Sequence, residues 1–504
     1  MMKSLIVAAR DRGRLAEIIQ IASQFGLGAL LARMGIERGA EGVGAGEGAE
    51  SLPARARLAL EALGPTFVKL GQILATRGDL LPPEWIVELE QLHARAPTLP
   101  FAQLRADVEA ALGEPPEQAF AAFDPEPIAA ASMAQVHRAT LRDGRLVVLK
   151  IRRPGIRPRM EADLRLIAHV AALAAQTSAE ARRFQPGALV RQLAEAILAE
   201  LDFTAEGRNA DRLRADFAGE ARLIVPEVHW AWTSETLLVM DYVEGIAPRD
   251  GATLRAAGID PEAIAELGAD IVLDMVLANG RFHADPHPGN LLCLPGNRLA
   301  LLDLGMVGQV APRRRGELVD FVQSLGAGDP AGLADVMALW TEGSGAPRAQ
   351  VERAAERLIA RHADGRFVLS AMVADFLALL REERMTMPPD LLLVFKALVT
   401  LDGVLMAIAP DFDLSRAMRR SSLRLLRRRL DPEHWVPLLW AVGRELGRLG
   451  DDAPRFIRAA ARRLEAEAAR PPEMSGQAIA SAARLIAASM LIGACLVGAA
   501  VLLS

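Results

Sequence analysis

The chain has 504 residues, 51% of them hydrophobic and only 4% aromatic, and a formal net charge of −5. That length supports two or three domains and a large core, and the acidic balance excludes a basic nucleic-acid-binding surface. The two cysteines, Cys293 and Cys495, lie far apart, which excludes a disulfide framework and fits a reducing compartment.

In chain order, the start MMKSLIVAAR is too short in apolar character for a cleavable signal peptide. Residues 4–34 read as an amphipathic helix, with Leu15, Ile18, Ile19, Ala22 and Phe25 at helical spacing. GAEGVGAGEG, residues 39–48, reads as a flexible linker. Helical patterning resumes from Leu52 to about Gln91, broken at Gly64-Pro65 and Pro82-Pro83. Between Pro125 and Lys150 an Ala-rich turn leads into MAQVHRATL and RLVVLKI around Asp143-Gly144, which predicts a hairpin. From Met160 to Asp216 the pattern is helical again. VPEVHWAWTSETLLVMDYV, residues 225–243, predicts strands around a turn at Thr233-Ser234. Beyond Asp260 helices dominate, apart from short strands around Leu291–Cys293 and Leu299–Leu302. The last twenty residues, LIAASMLIGACLVGAAVLLS, carry no charge and match the ~30 Å core of a bilayer. Arg458, Arg462, Arg463, Arg470 and Arg484 precede them and predict a cytoplasmic flank.

Of the 58 basic residues only Lys3, Lys69, Lys150 and Lys396 are lysines. A compact ammonium can sit beside a phosphate or a single carboxylate where a planar guanidinium does not fit. Lys69 and Lys150 therefore stand out; for Lys3 and Lys396 chance survival is an equal account.

HADPHPGNLL, residues 283–292, admits two chemistries. His283, Asp285 and His287 could be ligands of a zinc hydrolase, although no second cluster of ligands is visible. Alternatively, Asp285 and Asn290 have the spacing of a phosphoryl-transfer loop. The second chemistry also needs a strand lysine and a second metal-binding carboxylate. Lys150, after the hairpin, and Asp303 in LLDLG, eighteen residues past Asp285, occur in the required order. The histidines then become scaffold.

KLGQ at 69–72, AAASMAQVH at 129–137, VVLKIRRPGI at 147–156, ELDFTAE at 200–206, HADPHPGN at 283–290 and LLDLGMVG at 301–308 together resemble the UbiB family of atypical kinase-like proteins, which support ubiquinone biosynthesis. The resemblance spans about residues 51–415. It implies an α+β, bilobal protein-kinase-like fold with a small strand-containing N-lobe and a larger helical C-lobe. The expected organisation is an N-terminal helix and linker (1–50), a helical extension (51–124), the N-lobe (125–245), the C-lobe (246–480) and a C-terminal membrane anchor (481–504).

The resemblance further implies ATP and Mg²⁺ as cofactors. Ala130, Ala131, Ser132, Met133 and Val136 would line the phosphate-covering turn, and Met240, Tyr242 and Val243 the adenine hinge. Lys150 would contact the phosphates, Asp285 would be the catalytic base, and Asn290 and Asp303 would bind Mg²⁺. A helix carboxylate would orient Lys150. Glu200 and Glu206 are six residues apart, about 240° on one helix, so both cannot serve; Glu206 is the expected partner. Glu200 and Asp202 would then hold the segment of Lys69 and Gln72, which in the family folds over the active site and occludes protein-sized substrates. Alanine in place of glycine should stiffen the phosphate turn, and Leu304 stands where the family has Phe. The expected function is a kinase or ATPase anchored to the bacterial inner membrane, facing the cytoplasm. It would act on or present polyprenyl-phenol quinone precursors among membrane lipids and other ubiquinone-biosynthesis proteins. A nucleotide-gated lipid-binding module without essential phosphotransfer is the alternative, and a metallohydrolase a third.

Overall fold

The computed structural model describes residues 11–27, 51–78, 81–92, 97–177, 186–362 and 368–414, with a few positions beyond. The chain divides into two units, Met1–Leu425 and Leu426–Ser504. The second lies almost wholly outside the described residues, as do the linker at 39–48 and the expected anchor at 481–504.

The N-terminal part is helical: α1 (Arg12–Gln24), α2 (Leu52–Leu63), α3 (Pro65–Ala75), α4 (Pro83–Glu90), α5 (Arg105–Leu112) and the single turn α6 (Pro116–Ala119). Gly64-Pro65 separates α2 from α3 as the sequence predicts. Gly64 ends α2 at φ 103°, and Pro65 opens α3, where its missing N–H leaves no bond unmade.

The predicted hairpin forms from β2 (Ala134–Thr140) and β3 (Leu146–Arg152), paired antiparallel with Val136 opposite Lys150. An unpredicted strand, β1 (Ala122–Ala130), adds to β2, and β5 (Leu237–Asp241) adds to β3. Two prolines and a register shift disguise β1 as a loop. Strand alternation decides which way Lys150 faces. Val147, Leu149 and Ile151 are buried in a cluster with Leu104, Val108 and Phe120, so Lys150 emerges on the opposite face.

α7 (Ile156–Thr177), α8 (Pro186–Leu201) and α9 (Phe203–Asp216) follow. Residues 225–243 form only one of the expected strands besides a short bridge: Trp230–Trp232 is a 3₁₀ turn, and Val228 merely bridges to Met240. The C-lobe comprises β4 (Leu223–Ile224), α10 (Gly251–Ala256), α11 (Pro261–Leu273) and its π-helical continuation Asp274–Asn279, β6 (Arg281–His283), β7 (Leu291–Leu294), β8 (Arg298–Leu301), β9 (Val307–Gln309), α12 (Pro312–Ala327), α13 (Pro330–Thr341), α14 (Arg348–His362), α15 (Leu369–Glu382) and α16 (Pro389–Ile408). β6 pairs with β9, and β7 with β8, so the loops following β6 and β8 emerge beside each other.

α16 is long and apolar enough to cross a membrane by length and composition, but 61% of its most apolar window is buried. Its Leu391, Val394, Ala397 and Leu401 belong to the C-lobe core, and its buried Asp402 accepts the Ser370 N–H at 3.1 Å. These contacts make it the central helix of the lobe.

Candidate phosphoryl-transfer site

The Lys150 ammonium lies 2.9 and 2.8 Å from the two carboxylate oxygens of Glu206, and 3.3 Å from Asp303 Oδ2. Glu206 is buried and Asp303 about half exposed, with 48% of its side chain accessible. Burial opposes the charge on Lys150, but Asp303 and Glu206 outweigh it and hold its pKa above the ordinary range. Burial also opposes ionisation of Asp303, yet Lys150, the Gly305 N–H and His283 hold its carboxyl down at about 2. Burial pushes Glu206 up to about 7, with Lys150 opposing and Asp303 adding to the rise. One ammonium thus faces two carboxyls, and the more exposed one keeps its charge more readily.

Glu200 does not share a helix with Glu206, which corrects the premise of a continuous helical turn between them. The Asp202 side chain accepts the Thr204 N–H at 2.9 Å and its hydroxyl at 2.6 Å, capping α9 and ending α8. Arg152 fixes the break by donating to the Leu201 carbonyl at 2.6 Å. Glu200 is then free to pair with Lys69 on α3. Asp202 takes no part in holding the KLGQ segment directly; its further partner is Arg208 at 3.5 Å.

Lys69 is 8% exposed. Burial first, then repulsion from Lys396, push it down to about 8, while Asp285 and Asp303 pull the other way. The contact with Glu200 also favours the charged form. Gln72 reaches within the extension, donating to the Leu92 carbonyl at 3.4 Å. A Cβ on Gly71 would overlap Leu92 and press on Leu60, side chains flanking α3.

The phosphate-turn candidates are held rather than loose. Ala130 ends β1, and the Ala131 N–H donates to Ala134 O at 2.8 Å. Arg153 donates to Ala131 O through Nε and to Met133 O through its backbone N–H, both at 2.9 Å. Met133 is buried in one cluster with Ile73 of α3, tying turn and extension together. Ser132 lies partly exposed between them, and Val136 faces Lys150 across the hairpin. In the hinge, Met240 pairs with Val148. Tyr242 has its N–H taken by Leu146 O at 2.9 Å and its ring covered by Arg138, whose Cζ lies 4.6 Å from the ring centroid. The Val243 N–H has no backbone partner among the described residues.

In the loop after β6, His283 Nδ1 accepts the Asp285 N–H at 3.1 Å, and His287 Nδ1 accepts the Gly289 N–H at 2.9 Å. His283 Nε2 therefore carries the proton, buried and without a partner. Both rings shape the loop, and no group of three or more metal-capable side chains occurs among the described residues. Asn290 donates through Nδ2 to Asp285 O at 3.1 Å, which leaves its Oδ1 as an acceptor. The Leu302 N–H donates to Asn290 O at 3.0 Å, so this loop is stitched to the one carrying Asp303. Gly305 donates to Asp303 Oδ1 at 3.0 Å, and a Cβ on it would stand 3.2 Å from that oxygen. Leu304 fills an apolar slot at 2% exposure.

One participant was missed. Lys396 Nζ lies 3.4 Å from Asp285 Oδ1. Its rarity as a lysine was the available signal; its position, 111 residues past Asp285 in an apolar helix, hid it.

Comparison with known proteins covers both lobes. The ABC1 atypical kinase-like domain matches residues 91–337, and the UbiB helical domain matches residues 365–413. The chain is 34% identical to a "Probable protein kinase UbiB" of Marinobacter nauticus, covering 76% of this chain and 72% of that protein. It is 36% identical to a protein of the same name from Xanthomonas campestris pv. campestris, covering 81% and 76%. It is also 30% identical to an uncharacterized protein of Synechocystis, covering 81% and 71%.

Proposed function

Because the chain belongs to the UbiB family of atypical kinase-like proteins, we propose that it binds Mg-ATP at Lys150, Asn290 and Asp303 and turns it over in the service of ubiquinone biosynthesis. The observation that carries this is the convergence of Lys150, Glu206 and Asp303, from β3, α9 and the loop after β8, within 3.3 Å.

Each residue has a role that its surroundings support. Glu206 orients Lys150, whose ammonium neutralises phosphate oxygens. The free Oδ1 of Asn290 and the Asp303 carboxylate are hard oxygen donors on two stitched loops, a set that suits Mg²⁺ completed by phosphates and water. Bound there, Mg²⁺ would neutralise charge on the transferring phosphoryl group. Asp285 takes the proton of the attacking hydroxyl or water as the terminal phosphoryl group leaves ADP. The pinned turn at Ala131–Met133 and the hinge at Met240, Tyr242 and Val243 flank the nucleotide.

Lys69, on the extension, is buried and feels Asp285 and Asp303, which supports an extension lying over the site and favours ATP hydrolysis or a small lipid-like acceptor over a protein. We assign the polyprenyl-phenol precursors of ubiquinone as the molecules acted on or presented. The uncharged segment at 485–504 would anchor the chain to the cytoplasmic membrane.

The test is Mg-dependent ATP binding and hydrolysis by the full chain and by Asp303→Asn and Asp285→Asn. Asp303→Asn should abolish binding or turnover; unchanged values would remove its metal role. Asp285→Asn should bind ATP without turning it over. If that variant also sustains full quinone production in a deletion strain, the chain is a nucleotide-gated lipid-binding module. Membrane fractionation with and without residues 485–504 tests the anchor.

A further inference from the structure

Three lysines occur among the described residues, and each feels the charge of Asp285 or Asp303. Lys150 and Lys69 pair with carboxylates of α9 and α8. Lys396 instead pairs with the catalytic-loop Asp285, Nζ to Oδ1 3.4 Å. Its helix gives it a fixed base. Val394, Phe395, Ala397 and Leu398, on either side of it, are buried. Phe395 closes a ring cluster with Phe321, Trp340 and Phe376, at centroid distances of 6.0, 6.0 and 5.8 Å. A side chain projecting from so constrained a helix is positioned far better than one on a loop.

The surroundings of this ammonium span three parts of the protein. It repels Lys69 of α3 and lowers the pKa of Glu90 at the end of α4, which burial raises, while facing Asp285 directly. Asp285 falls in the segment matched by the ABC1 domain and Lys396 in the segment matched by the UbiB helical domain. A partly exposed ion pair adds little to stability, so stability does not account for a lysine here.

We propose that Lys396 is a positioning residue for Asp285, so that the helical domain completes the phosphoryl-transfer site in cis. Its ammonium holds the carboxylate where the attacking hydroxyl or water must lose its proton. This rests on Asp285 acting as the base of that reaction.

The experiment compares the full-length wild type with Lys396→Gln and Lys396→Arg. Gln should lower kcat for ATP by about tenfold or more, since misplacing a catalytic group costs that much. KM for ATP should stay within about twofold and the melting temperature should not change, because the residue acts through Asp285 and not through nucleotide binding. Arg should restore most of kcat. Wild-type kcat in the Gln variant overturns the proposal. So does a loss that Arg does not relieve, or a loss of kcat accompanied by a parallel fall in melting temperature. A second measurement needs no turnover: with only four lysines, competitive acetylation read by mass spectrometry resolves each one. Lys396 should gain reactivity in Asp285→Asn, and unchanged reactivity overturns the pair. If the wild type hydrolyses no ATP while Lys396 still responds to Asp285→Asn, the contact stands and the phosphotransfer reading fails.

Discussion

Lys150 on β3 and Glu206 on α9 meet through both carboxylate oxygens, at 2.9 and 2.8 Å. Glu206 is buried, so it cannot exchange this partner for water. The contact couples the strand that carries Lys150 to the helix behind it. It is the point at which the N-lobe sheet joins the carboxylates of Glu206 and Asp303.

Removing one member of this pair leaves a buried charge, which costs about 3 kcal/mol when no other partner compensates. Asp303 compensates Lys150 in part, so Glu206→Ala should cost less than Lys150→Ala. The double variant should cost less than the sum of the two, by about 1–2 kcal/mol. Urea unfolding of the four proteins measures this, and additive losses would show that the pair is not coupled.

Lys69 yields a pH dependence. Its folded pKa of about 8 lies below the 10.5 of an ordinary lysine. Between these values the unfolded chain holds a proton that the folded chain has released, so this group's contribution to stability rises with pH. Below pH 8 both states are protonated and the cost of burying the charge is fully present. The stability of wild type relative to Lys69→Met should therefore improve from pH 8 to pH 10. A difference that stays flat across that window in denaturant titrations would remove the assignment.

Asp202→Ala should cost about 1 kcal/mol through loss of the α9 cap. Since the cap also ends α8, the variant should loosen the Lys69–Glu200 pair, detectable as faster hydrogen exchange in residues 65–75. Loss of stability with unaltered exchange there would separate the cap from the pair.

Gly71→Ala should destabilise by about 1–3 kcal/mol, because its methyl group would enter the space of Leu92 and Leu60. The readout is the urea midpoint. A neutral result would mean that α3 can shift without cost.

Much of the site was legible because chemistry was written in local spacing. Asp285 and Asn290 lie on one short loop, and Asp303 follows an apolar strand, so pattern alone brought them forward. The hairpin was equally plain, since a DG turn between β-prone runs leaves little choice. β1 was hidden by its prolines, and the second strand expected within 225–236 gave way to a 3₁₀ turn at Trp230–Trp232. ELDFTAE has helical character throughout, which predicts one helix for Glu200 and Glu206. The Asp202 side chain accepting the Thr204 N–H, with Arg152 on the Leu201 carbonyl, ends one helix and starts another.

The sequence by itself determined the lobes, the prominence of Lys150 and the order of the loop carboxylates, because periodicity and short motifs act over a few residues. Tertiary structure alone decided the partners. Glu206 reaches Lys150 over 56 positions, Glu200 reaches Lys69 over 131, and Lys396 meets Asp285 over 111. Such pairings depend on how helices pack, and a lysine's charge extends only as far as its backbone is carried.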